Sequence, residues 1–177
     1  GNIYKTVLSK HIWQLFVDQQ EMVMARWPNA NFLDKSIYNW NSWASGIVDS
    51  ANGFPNGSYN GFELVDSTKK DLGSTGLNLT GAIGIMNVGS FKTFNREIIS
   101  HNPQDNFFSY NTIPNNTYRD KHHHFFVEGK LELLDQPNEW FYDTISMTLY
   151  LPVLMVGDAE KEMRYFRHTG FTVFVLF

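Results

Sequence analysis

A chain of 177 residues is long enough to bury a core without covalent staples, and 42% hydrophobic with 18% charged residues is the balance of a folded protein, not a disordered one. A net charge of -4 with no long basic run gives no electrostatic grip on phosphate backbones, so nucleic acid is not expected as a partner. Zero cysteines exclude disulfides and thiolate chemistry, and no stretch approaches the roughly 18 apolar residues that span a bilayer as a helix, so no membrane partner is expected either.

In chain order, Ile3 to Leu8 reads as a strand. Ile12 to Val17 and Glu21 to Trp27 read as the arms of a hairpin turning at Asp18-Gln19-Gln20, and Pro28 ends it. From Asp34 the spacing predicts a short helix: Asp34 caps it, Ile37, Trp40 and Ala44 fall on one face, and Gly46 terminates it. Asp49 to Asn60 is rich in Asn, Gly, Ser and Pro and reads as a surface loop, followed by a short strand at Phe62 to Val65. Gly81 to Ser100 reads as two strands, one of them the aromatic run from Phe91 to Arg96. Asn102 to Asn106 is a turn cluster, and Ile113 to Asp120 is a loop leading to a strand that begins at Phe125. No fixed period recurs, so the chain is not itself a run of repeat coils. Many short strands with turn punctuation predict an all-β fold with one short helix, an antiparallel sandwich or distorted barrel.

The most informative stretch runs from Phe126 to Leu151. Alternation places Val127, Gly129, Leu131 and Leu133 on one face of a strand and Glu128, Lys130 and Glu132 on the other. Asp135-Gln136-Pro137-Asn138 turns the chain, with Pro137 presetting φ and Asn138 tolerating a left-handed conformation. An aromatic strand from Glu139 to Tyr142, a loop from Asp143 to Met147 and a strand from Thr148 to Leu151 complete it.

This pattern resembles a segment of bacterial proteins with a right-handed parallel β-helix, the pectate-lyase-like group, and specifically the β-sandwich insert of β-helix glycoside hydrolases. There a leucine-rich strand leads into a D-x-P-G-E-W-like turn, an aromatic strand and a T-G-T-L-Y-like strand. Upstream, Leu15-Phe16-Val17-Asp18, Glu21-Met22 and Ala25-Arg26-Trp27-Pro28-Asn29 resemble the hairpin that announces the insert. The two matches stand in the family's order, so the resemblance covers most residues from Ile12 to Leu151. Gln19, Asn138 and Met147 stand where the family carries glycine. Asn bears a positive φ cheaply whereas Gln and Met do not, so the loops at Gln19 and Met147 are expected to use other turn types, or the chain is a divergent member.

The resemblance implies an insert or accessory domain over residues 1–157, inserted in or preceding a parallel β-helix, and a return segment toward that helix over residues 158–177. It also implies an extracellular or periplasmic location, although no basic region followed by an apolar stretch marks a signal peptide. In the resembling hydrolases the catalytic carboxylates lie in the β-helix that follows the insert, so none are expected here. A first residue that is Gly1, and an apolar strand from Phe171 to Phe177 that stops abruptly, suggest a piece of a longer protein.

The residues themselves agree that chemistry is scarce. Adjacent histidines in a strand point to opposite faces, so His122-His123-His124 cannot all bind one ion, and with His11 and His101 elsewhere no metal site is expected. Nor is any cofactor expected, since no phosphate-binding or dinucleotide fingerprint occurs. Glycoside hydrolysis needs two carboxyl groups about 5 to 9.5 Å apart. Glu128 and Glu132 on one strand face would stand about 13 Å apart, too far for a dyad. Asp135, Glu139 and Asp143 sit in or beside turns, where such groups more often bond the backbone.

Carbohydrate contact is the better-supported chemistry. Trp27, Trp40, Trp43 and Tyr59 lie near Asn-rich loops, and an exposed ring stacks on the apolar face of a sugar while polar neighbours bond its hydroxyls. Arg26 either pairs with a substrate carboxylate or pins the hairpin internally. The expected function is a non-catalytic insert of a polysaccharide-degrading hydrolase or lyase, helping to shape its cleft. Its partners would be a poly- or oligosaccharide and the rest of the parent chain, with Arg26, Trp27, Trp40 and Trp43 as candidate contacts. The alternatives are an independent carbohydrate-binding module and a purely structural domain.

Overall fold

Period-2 alternation becomes extended backbone almost wherever the sequence shows it. The computed structural model describes residues 3–17, 19–48, 58–59, 62–64, 72–89, 92–111, 124–152 and 173–176. Its strands are β1 (Ile3–Val7), β2 (Gln14–Val17), β3 (Gln20–Glu21), β4 (Val23–Met24), β5 (Arg26–Trp27), β6 (Ala44–Val48), β7 (Ser58–Tyr59) and β8 (Phe62–Leu64). They continue with β9 (Ile83–Gly89), β10 (Lys92–His101), β11 (Phe108–Asn111), β12 (His124–Glu128), β13 (Glu139–Asp143), β14 (Thr148–Pro152) and β15 (Val173–Leu176). Helical structure among the described residues is confined to single 3-10 turns, so the protein is all-β with mainly antiparallel pairing, the class that its turn-punctuated sequence predicts.

The chain divides into two units. The first comprises residues 1–38 and 129–177. Here β1, β14, β13 and β4 form one sheet in that order, and β15, β2 and β3 form another. The first sheet is antiparallel except at β13 and β4, which run parallel. Leu15 and Val17 of β2 share one buried cluster with Trp140, Tyr142, Leu149 and Leu151 of β13 and β14, closing a sandwich-like core with Ile12 and Met22. The alternation of β13 supplies it: Trp140 and Tyr142 point inward, while Phe141 pairs outward with Tyr150 at 5.7 Å between ring centroids. Trp140 donates its Nε1–H to the Met22 carbonyl at 3.3 Å, which satisfies a buried polar group inside that core.

The second unit comprises residues 39–128. Its sheet has the order β7, β11, β10, β9, β12, β6, β8, antiparallel at every step. One face is the core, with Met86, Ile98, Phe108, Tyr110, Phe125 and Val127 buried on it. His101 ends β10 as a staple. Its backbone N–H donates to Thr80 Oγ1, its Nδ1 accepts the Leu79 N–H at 3.3 Å, and its Nε2 bonds the Asp105 carbonyl at 3.0 Å. Both ring nitrogens are engaged structurally, and among the described residues no group of His, Asp or Glu is placed to hold a metal ion.

Two expectations fail locally. The helix expected from Asp34 to Gly46 is instead two 3-10 turns, Ser36–Tyr38 and Trp40–Ser42, followed at once by β6, in which Gly46 pairs with Leu64. Asp34 accepts from the Ser36 N–H and Asn39 from the Asn41 N–H, so side chains of the turn-forming type capture the backbone donors before a full α-turn closes. The strand expected through Leu133 stops at Glu128, because Gly129 takes φ 83 and the chain coils into the 3-10 turn Leu131–Leu133.

The family's glycine positions behave contrary to expectation. Gln19 and Met147 adopt the left-handed region at φ 67 and φ 54 despite their side chains, and Asn138 does not use it. At Met147 the surroundings compensate: Asp143 accepts the Ile145 and Ser146 N–H groups, the Met147 carbonyl accepts the Leu8 N–H at 2.8 Å, and the side chain packs against the buried cluster. Gln19 is exposed and gains no such packing. Gln19→Gly is therefore expected to stabilise the protein by about 0.5–1 kcal/mol, and Met147→Gly to gain nothing, as relief of backbone strain is offset there by lost packing. Urea unfolding midpoints of the two variants check this, and equal shifts would contradict it.

The loop expected over residues 49–60 contains β7 at Ser58–Tyr59, and its other residues, the loop expected over 113–120 and residues 158–172 of the return segment lie outside the described residues; residues 173–176 of that segment form β15, which pairs antiparallel with β2 of the first unit.

Candidate functional site: the open sheet face of the second unit

The face of the second unit's sheet that turns away from its core is a patterned surface. In β12 the inward residues Phe125 and Val127 alternate with half-buried His124, Phe126 and Glu128. The register with β9 sets His124 opposite Asn87, Phe126 opposite Ile85 and Glu128 opposite Ile83. That with β10 sets Asn95 opposite Ile85 and Glu97 opposite Ile83, while Asn87 Nδ2 donates to Thr93 Oγ1 at 3.4 Å. Three rows result: Glu97-Ile83-Glu128, Asn95-Ile85-Phe126 and Thr93-Asn87-His124. With strands about 4.8 Å apart, each row spans about 10 Å.

Aromatic rings border these rows along β6 and β12. Asn39 caps the 3-10 turn Trp40–Ser42 through Oδ1, and the Ser42 hydroxyl donates back to the Asn39 carbonyl at 2.7 Å. The turn delivers the chain into β6, whose pairing of Ala44 with Phe125 brings Trp43 beside Phe126. The Trp43 ring meets Phe126 edge-on at 4.8 Å, Trp40 lies 5.3 Å from Trp43, and Trp40 inclines at 36° over His124 at 5.0 Å. Trp40 nonetheless remains 55% exposed. A large ring held by two aromatic neighbours and still facing water presents a flat apolar surface with little conformational freedom left to lose on binding.

Of the four sequence-predicted contacts, the structure brings Trp40 and Trp43 together in the second unit and leaves Arg26 and Trp27 in the first. Arg26 is 2% exposed and its Nε–H donates to the Pro28 carbonyl at 2.9 Å, so the guanidinium serves the internal role that the sequence left open. Trp27 beside it is half-buried. Phe126, Asn95 and Glu97 were not singled out by sequence reasoning, and His124 was weighed only as a metal ligand. The alternation Thr93-Asn95-Glu97 against Phe94-Arg96-Ile98 carried a signal for the polar face, whereas the approach of Trp40 to His124 depends on a tertiary pairing with no local signature.

A buried carboxyl lies in the first unit. Glu139 is fully buried and accepts the N–H groups of Arg26, Asp135 and Gln136 at 3.3–3.4 Å, tying the Asp135–Asn138 turn to the hairpin segment. Burial pushes its carboxyl up to about 8, and the charge of Asp135 adds to the rise. The three backbone donors favour the ionised form, but bonds at the long end of the range do not offset the loss of water. Asp143 shows the opposite balance: the Ser146 hydroxyl and nearby backbone N–H groups hold its carboxyl below the usual value. Both are turn-forming groups, as the sequence suggests.

No family model matches the chain, and no curated protein matches it. One solved structure, named a glycoside hydrolase, superposes on 84% of this chain with a TM-score of 0.50 at 15% identity. The match takes up 26% of that protein's length, so this chain spans about a quarter of it. The likeness is one of fold.

Proposed function

We propose that the chain is a non-catalytic, carbohydrate-contacting accessory domain of a larger polysaccharide-degrading enzyme, and that Trp40 and Trp43 supply its stacking surface. The observation that carries this reading is Trp40, 55% exposed and buttressed by Trp43 and His124 at the margin of an open sheet face. The shared fold with a quarter of a protein named a glycoside hydrolase supports it, as does the resemblance of residues 12–151 to β-helix glycoside hydrolase inserts. In this reading residues 1–157 form the accessory part, the segment 158–177 returns through β15 against β2 before the parent chain continues toward a parallel β-helix, and the parent acts outside the cytoplasm. Arg26 stiffens the domain from inside.

An independent binding module is the second reading, favoured by the self-contained aromatic margin of the second unit. Calorimetric titration of the purified chain with neutral and acidic polysaccharides tests contact itself. Trp40→Ala is expected to weaken binding about tenfold with the fold unchanged, the loss of roughly 1.4 kcal/mol of stacking. Unchanged affinity in that variant would remove the tryptophan margin from the site.

A further inference from the structure

The first unit leaves a sheet edge open at β1, which has β14 on one side and no strand on the other among the described residues. Leu8 donates its N–H to the Met147 carbonyl at 2.8 Å, one step beyond the pairing of Val7 with Thr148. Hydrogen-bonded pairs alternate along an antiparallel ladder, so the backbone groups of Tyr4 and Thr6 face β14 and those of Ile3, Lys5 and Val7 face the open edge. Pro152 opposite Ile3 agrees, since proline has no N–H to give at that position. Beyond this ladder, no residue from Ile3 to Val7 has a hydrogen bond or ion pair among the described residues.

The same three residues carry their side chains on the sheet face away from the buried cluster, where Ile3 is 44% exposed, Val7 is 72% exposed and Lys5 stands exposed between them. An edge that pairs over five residues without a register shift and shows two β-branched side chains to water is a template for another strand. Lys5 selects which strand. A second copy of β1, added antiparallel in the register that sets Ile3 against Val7, would place lysine opposite lysine, whereas a carboxylate at that position forms a favourable cross-strand pair. We infer that β1 is a docking edge for an extended segment of another polypeptide in which an acidic residue stands between two apolar ones at alternate positions. The acid lies opposite Lys5 and the apolar residues lie against Ile3 and Val7. Main-chain hydrogen bonds to these three residues give the affinity, and their side chains give the selectivity. This surface goes beyond the saccharide contact and shares no residue with it.

Amide hydrogen exchange and amide chemical shifts of the intact chain test this, with the capped peptide Thr-Val-Thr-Glu-Thr-Val-Thr as probe and its lysine-centred counterpart as control. In the free protein the Tyr4 and Thr6 amides are expected to exchange slowly and those of Ile3, Lys5 and Val7 fast. The glutamate peptide is expected to slow the latter three and shift their resonances, and the lysine peptide to bind about fivefold more weakly at low ionic strength. Lys5→Glu should reverse that preference, an exchange of sign that a lysine serving only to keep the edge soluble would not produce. Binding without preference for the sign of the central residue in either protein overturns the inference, as does binding of neither peptide. So does slow exchange at Ile3, Lys5 and Val7 before any peptide is added. Dimers that form through these amides overturn the choice of partner and assign the edge to a second copy.

Discussion

Glu139→Ala is expected to lower the unfolding free energy by about 3 kcal/mol, the sum of a vacated buried volume and backbone donors left without an acceptor. Glu139 is fully buried and receives the N–H groups of Arg26, Asp135 and Gln136, so its loss frees the turn and the hairpin segment together. Its protonation makes a second, sharper signature. The folded-state pKa lies at about 8 against an ordinary value of 4.5, so in the interval between them the native protein holds a proton that the unfolded chain has released. The contribution is complete below pH 4.5 and is lost as pH rises through 8, a slope of up to about 1.4 kcal/mol per pH unit toward lower stability in alkali. Glu139→Gln keeps a carbonyl acceptor and removes the titration, so its stability should be flatter across that window and overtake wild type near its upper end. Urea unfolding at several pH values measures this, and parallel wild-type and Gln profiles would show that Glu139 does not carry the dependence.

Phe125→Ala is expected to cost about 3–5 kcal/mol, a large part of a domain's usual stability, whereas Phe126→Ala costs about 1 kcal/mol or less. The two residues adjoin in β12 but face opposite ways. Phe125 is fully buried, packed edge-to-face with Phe108 at 5.5 Å and set opposite Met86. Phe126 stands on the open face against the edge of Trp43. Its truncation should leave a folded protein with weakened saccharide contact, because Trp43 loses its support. Thermal unfolding and calorimetry on the two variants separate the faces. Equal losses of stability would mean that the alternation of β12 does not divide core from site.

Strand structure was legible because burial on one side of a sheet writes a period of two into the sequence, as in Phe125 to Glu128 and Glu139 to Tyr142. The helix was misread because Ile37, Trp40 and Ala44 fall at helical spacing without any helix behind them, while Asn31, Asp34 and Asn39 offer the backbone local partners that favour tight turns. The strand beyond Glu128 was overextended because alternation continues through Leu133 although Gly129 has left the extended region. Left-handed Met147 was unreadable locally, since a core some distance away in the chain compensates it. In the candidate site, Trp40 and Trp43 stand out in the sequence as tryptophans near turns. Glu97 does not, because a partner for Glu128 was sought along the same strand, and the sheet places that carboxylate two strands away.

The most direct test is a saccharide titration followed by the indole N–H resonances of the tryptophans, with the sugar signals read from the same spectra. The account predicts that Trp40 and Trp43 shift on adding a neutral hexaose, that buried Trp140 does not, and that no new reducing ends form. Shifts that bypass Trp40 and Trp43, or cleavage of the hexaose by this chain, would contradict it.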